Sequence, residues 1–124
     1  MNSKIFMAVR ILLGVFVLVF GVNKFLHFLP DFELEGDALN YFMALGKSQT
    51  LNLVGVVETI AGLALIFNKW GALMALILMS VSVNAVLFHL TLDPPNIGGA
   101  LVLLVLNIVV LIGYKNRYSG ILNA

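Results

Sequence analysis

The sequence predicts an all-α fold: a four-transmembrane-helix bundle with both termini cytoplasmic and a longer outer loop between the first and second helices. Three observations carry this expectation. Hydrophobic residues fill 61% of the 124 positions while charged residues fill only 10%, and mean hydropathy is +1.07, whereas a soluble domain carries roughly 25% charged residues. The apolar residues gather into four segments close to the length that a bilayer demands of a helix, about 20 residues. Lysine and arginine concentrate at one side of those segments, the asymmetry that orients membrane helices. A soluble fold of this size could not hide so much apolar surface. The chain therefore reads as one integral membrane domain, residues 1–124, multi-pass in the cell membrane.

The first span is expected at 5–26. Lys4 and Arg10 ahead of LLGVFVLVFGV give it the outline of a signal peptide, but no small-residue cleavage site follows, so it reads as an uncleaved helix. Arg10 is expected to snorkel to the nearby headgroups. The outer loop carries Asp31, Glu33, Glu35 and Asp37. Within it, DALNYFMALGK places Leu39, Phe42, Met43 and Leu45 where an amphipathic helix could use them, on the membrane surface or as a lid over the outer mouth of the bundle. The second span, 51–67, and the third, 71–92, are joined so briefly through Asn68, Lys69 and Trp70 that they must be antiparallel neighbours. Pro94 and Pro95 separate the third as tightly from the fourth, 97–114. Lys69, Lys115 and Arg117 fall on the same side as Lys4 and Arg10, which assigns that side to the cytoplasm. Trp70, Tyr114 and Tyr118 suit the inner interfacial belt.

Composition also excludes. The net charge is +1 with no basic run, so no nucleic-acid partner is expected. Cysteine is absent, which removes disulfide exchange, thiolate-held iron–sulfur clusters and Cys-ligated zinc. A redox role would have to borrow its electron carrier, and no metal site is expected.

Polar side chains inside a span cost roughly a few kcal/mol unless they face the bundle interior and find partners. Lys24 and His27 lie at the outer end of the first helix, Glu58 about two turns into the second, and His89 about one turn into the third. Asn84 lies deeper on the third helix and Asn107 deeper still on the fourth. Gly55, Thr59 and Gly62 share a broad face with Glu58, and small residues mark helix contacts in membranes. Gly14 and Gly21 stand one heptad apart, with Lys24 following on the same side. Glu58 is the candidate catalytic residue: burial and a neighbouring ammonium act on a carboxyl in opposite senses, and a balanced carboxyl can exchange a proton. Lys24, Asn84, His89, His27 and Asn107 are the candidate ligand-binding residues of an outward-opening polar pocket. Asn84 and His89 stand about 140° apart around an ideal helix, so they face different neighbours or opposite walls of one cavity. Structural roles stand beside these readings: a Lys24–Glu58 ion pair, an interhelical hydrogen bond from Asn107, and His27 in the headgroup region.

At GVNKFLHF, VGVVETIAGLALIFNKW and VNAVLFHLTLDP the chain resembles the DoxX family of small four-helix membrane proteins. The resemblance spans nearly the whole chain. It rests on a glycine-plus-lysine end to the first helix, a glutamate in the glycine-bearing second helix, and a histidine near the end of the third. The family takes its name from a subunit associated with a quinone-reducing, sulfur-oxidising complex, so the resemblance implies a membrane subunit near quinone or thiol-redox chemistry. The absence of cysteine argues against a direct thiol role. The expected function is an accessory membrane subunit of a redox system, binding a quinone-like or other lipophilic ligand. Its expected partners are membrane lipid and a redox partner protein, within a homo-oligomer or hetero-complex. One alternative is a lipid- or isoprenoid-directed proton-transfer enzyme, an analogy at the level of fold. Another is a non-enzymatic assembly or transport protein. Haem between His27 and His89 would explain both histidines, but the acidic loop begins close to His27 and the bundle is small.

Overall fold

The computed structural model describes residues 1–30 and 33–123, which leaves Asp31 outside the described residues. Their regular structure is helical throughout: α1 Ser3–Leu26, α2 Gly36–Lys47, α3 Thr50–Phe67, α4 Gly71–Leu92, α5 Gly98–Gly113 and α6 Ser119–Leu122. Short 3₁₀ turns cover Pro94–Asn96 and Lys115–Tyr118. By length and composition α1, α3 and α4 can each cross a membrane, and α5 with the segment after it, bent by 73°, brings the number of spans to as many as four. The expected boundaries hold to within two residues, because long apolar runs set them.

The long helices pack in a closed circuit: α1 on α3, α3 on α4, α4 on α5, and α5 on α1, with α1–α3 the most extensive pairing. Leu13 and Val17 of α1, Ala61 and Leu65 of α3, Ala75 and Leu78 of α4, and Val110 of α5 are wholly buried between them. Leu12, Leu53, Leu73 and Val105 point outward. A helix in lipid satisfies its backbone internally and accepts an apolar exterior, so both arrangements suit a bilayer.

Glycine sets the α1–α3 spacing. A Cβ on Gly14 would stand 3.0 Å from the Gly62 carbonyl oxygen, and a Cβ on Gly62 would stand 2.8 Å from the Gly14 oxygen and 2.7 Å from the Leu18 Cβ. Further along, a Cβ on Gly21 would come within 2.8 Å of the Glu58 Cβ and the Thr59 backbone nitrogen, and one on Gly55 would meet Phe25 at 3.0 Å. Later positions of α1 thus meet earlier positions of α3, so the two helices run antiparallel with backbones close together.

Arg10 departs from expectation. It does not snorkel: the residue is buried, and its guanidinium donates to the carbonyl oxygens of Leu65 and Ile66. The last carbonyls of α3 have no partner within their own helix, and a cation at a helix C-terminus also suits the dipole. Burial therefore supplies Arg10 with acceptors that compensate for lost headgroup contact.

The same end of the molecule, here the terminal end, is tied by tyrosines. Tyr114 donates to the Asn68 side chain and meets Phe6 edge to face at 4.9 Å, while the Tyr118 hydroxyl donates to the Ala72 carbonyl at 2.8 Å. Asn68 caps α3 with φ 54°, the left-handed conformation that asparagine tolerates better than most residues.

At the opposite, loop end, α2 packs on α3 and α4. Tyr41 stacks on Phe88 at 5.2 Å and Phe42 meets it edge to face at 4.9 Å. Ala38, Tyr41, Phe42 and Leu45 form the inward face of α2, whereas Leu39 and Met43 of the expected face stay exposed. The inward stripe is rotated because the aromatic pair follows Phe88.

Candidate functional site

Lys24 and Glu58 are brought together by the glycine seam. Gly21 and Gly55 admit the backbones closely enough for the last turn of α1 to lie over the middle of α3. A helical side chain points back toward its own N-terminus, so Lys24, near the end of α1, reaches deeper into the helix pair. Its ammonium forms an ion pair with Glu58 Oε1 and approaches the Phe20 carbonyl at 3.5 Å. Thr59 returns its hydroxyl to the Gly55 carbonyl at 2.7 Å and takes no part in the pair.

The two partners differ in access. The Glu58 side chain is 5% exposed and that of Lys24 is 24% exposed. Glu58 Oε2 makes no hydrogen bond among the described residues, yet no buried side-chain nitrogen or oxygen there lacks one. Oε2 must therefore reach accessible space. The carboxylate is anchored through one oxygen and presents the other, and the ammonium keeps donor capacity beyond the ion pair.

His89 belongs to a second polar centre at the loop end of α4. Its Nδ1 lies 3.2 Å from Asp93 Oδ2, and its ring meets Phe88 edge to face at 4.9 Å. Asp93 is buried and accepts from Asn96 Nδ2 at 3.0 and 3.1 Å through its two oxygens. Sequence reasoning passed over Asp93. The signal was present: a carboxylate four residues after a helical histidine shares its face and can hold the ring.

Asn107 is wholly buried and engaged through both its amide oxygen and its amide nitrogen. It accepts from the Ser82 hydroxyl at 2.7 Å and donates to the Ala75 carbonyl at 3.0 Å. These bonds join α4 to α5 and give Asn107 an interhelical structural role in place of the expected ligand-binding one. Asn84 departs further: it is exposed on the outward face of α4, and Ser82 occupies the inward position instead. The two residues are about 160° apart around the helix, so only one can face the bundle. His27 is the left-handed C-cap of α1, φ 52°, and is exposed. The single cluster expected around Glu58 thus resolves into the Lys24–Glu58 pair, the His89–Asp93–Asn96 group and the Ser82–Asn107 bond.

No group of three His, Cys, Asp or Glu among the described residues could hold a metal ion. An open apolar groove of about 450 Å³ runs along α3 between Ile60 and Trp70, and a more polar cavity of about 300 Å³ lies between Phe6, Gly113 and Lys115. Both are nearer the terminal end than the Lys24–Glu58 pair.

Fold and site define a small helical integral membrane protein with an ion pair set between its first two long helices. A family model described as DoxX matches residues 5–91, and the chain belongs to the DoxX family. The match takes in Lys24, Glu58 and His89 and stops before α5. No curated protein and no solved structure matches the chain.

Proposed function

We propose that this protein is an accessory membrane subunit of a redox system, binding a quinone-like lipophilic ligand beside Lys24 and Glu58 and exchanging protons with it. The observation that carries this reading is the half-engaged carboxylate: Glu58 holds Lys24 through Oε1 while Oε2 reaches accessible space. Reduction of a quinone to a quinol takes up two electrons and two protons. The electrons come from a partner oxidoreductase, since the chain has no cysteine and no metal-ligating group among its described residues. Glu58 is assigned as the proton-exchanging group, with Lys24 donating a hydrogen bond to a carbonyl oxygen and fixing the carboxylate. His89, steered by Asp93, is assigned as a second polar contact near the outer surface. Asn84, Asn107 and His27 leave the ligand set.

The reading also includes four membrane spans with both termini in the cytoplasm, which follows from the lysine and arginine bias. The pair then lies in the outer half of the cell membrane. Gentle solubilisation followed by native mass spectrometry and organic extraction tests the ligand. Co-purified quinone is expected from the natural chain, with at least a tenfold loss in a Lys24→Met, Glu58→Gln double variant that retains its helical content. Failure to find quinone, together with no binding of added quinone, would refute the assignment.

A further inference from the structure

We infer that the outward face of α4 is the interface of a homodimer, two copies meeting about a two-fold axis with their Asn84 amides bonded to each other. Leu73, Ile77, Ser80, Asn84, Leu87 and Thr91 are all exposed. They follow one another at alternating spacings of four and three residues, the a/d spacing of a paired helix seam. On an ideal helix they occupy an arc of roughly 80°, opposite the face that Ala75, Leu78 and Ser82 bury against the rest of the chain.

What this face needs from its partner is set by its polar atoms. The Ser80 hydroxyl donates to the Ile77 carbonyl at 2.7 Å and the Thr91 hydroxyl to the Leu87 carbonyl at 2.8 Å, so both are satisfied by their own helix. The Asn84 side chain has no hydrogen bond among the described residues. It lies roughly 20 Å along α4 from Gly71 and roughly 12 Å from Leu92, well inside the hydrocarbon of a spanning helix. Acyl chains offer an amide neither a donor nor an acceptor, and polar side chains at this depth turn toward protein.

A second copy answers that need with nothing added. A primary amide carries both donors and an acceptor, so two of them facing across a two-fold axis are complementary to one another. Two chains inserted in the same direction place equal positions at equal depth. Asn84 then meets Asn84, and leucine and isoleucine pack above and below it.

The chain contains no cysteine, which makes introduced cysteines clean reporters. Oxidation of membranes carrying Ile77→Cys or Leu87→Cys should give disulfide-linked dimers. Val83→Cys and Leu90→Cys, equally exposed but turned away from the seam, should give none. In liposomes, energy transfer between labelled copies should show a dimer weakened roughly 3- to 30-fold by Asn84→Leu, the range spanned by interhelical hydrogen bonds in membranes. Asn84→Gln, which keeps an amide, should retain most of the association. Equal cross-linking at all four positions, unchanged association in Asn84→Leu, or capture of a different protein on the seam in place of a second copy would each overturn the homodimer.

Discussion

At the scale of single residues, the described part of the molecule handles a buried cation, Arg10, and a partly buried one, Lys24, in different ways, and substitution separates them. Lys24 neutralises a side chain, so removing it alone leaves the buried Glu58 carboxylate without its partner, at a cost of about 3–5 kcal/mol. Lys24→Met or Glu58→Gln alone should therefore lower stability more than the double variant does, and a double-mutant cycle in detergent unfolding should return a coupling energy above about 1 kcal/mol. Additive effects would mean that the pair contributes nothing as a pair. Arg10 serves backbone carbonyls instead. Arg10→Met should cost about 1.5–3 kcal/mol, the worth of a charged hydrogen bond, read as a lower midpoint of thermal unfolding. Arg10→Lys should recover part of this, because both bonds leave the single nitrogen Nη1 and an ammonium also carries several donors on one nitrogen, though on a shorter stem.

At the scale of elements, the α1–α3 seam has a steric prediction with an internal control. Gly21→Val places branched carbon against the Glu58 Cβ and the Thr59 backbone nitrogen, and backbone cannot swing aside as a flexible side chain can. The helices must separate, costing roughly 1–3 kcal/mol as an overpacked contact. Gly46→Ala in α2 meets nothing within 4 Å and should be neutral or slightly stabilising, since alanine favours the helical state. Thermal unfolding of both variants decides between a close-packed seam and incidental glycines. The seam was legible in the sequence because Gly14, Gly21, Gly55 and Gly62 recur at helical spacings around Glu58. The orientation of α4 was not legible. In a bilayer the inside and the outside of a bundle are both apolar, so hydropathy around α4 does not reveal which face is buried. Asn84 is the more conspicuous polar residue, yet Ser82 takes the inward place beside Asn107. The partner of Arg10 was hidden for a related reason: the carbonyls of Leu65 and Ile66 lie 55 and 56 positions away, and only the packed helix pair brings them near.

At the scale of the whole molecule, the ends of the helices differ in charge, and this asymmetry predicts the direction of insertion. Lys4, Lys69, Lys115 and Arg117 gather at the terminal end, and Arg10 is fixed near it by its bonds to α3. The loop end carries Glu33, Glu35 and Asp37 with Lys47. Short loops rich in lysine and arginine remain in the cytoplasm, whereas acidic residues contribute little, so the four cations outweigh Lys47. With no natural cysteine to interfere, Ser48→Cys after α2 and Asn116→Cys after α5 report the two sides. A membrane-impermeant maleimide applied to intact cells should label Ser48→Cys and leave Asn116→Cys unlabelled until the membrane is opened. The opposite pattern would invert the molecule and carry the Lys24–Glu58 pair into the inner half of the bilayer, where its ligand and its protons would have to arrive from the cytoplasmic side. Labelling of both positions from outside would instead require an even number of crossings between them, and would exclude α3, α4 and α5 as three successive spans only if it persisted under conditions that leave a cytoplasmic marker protein unlabelled.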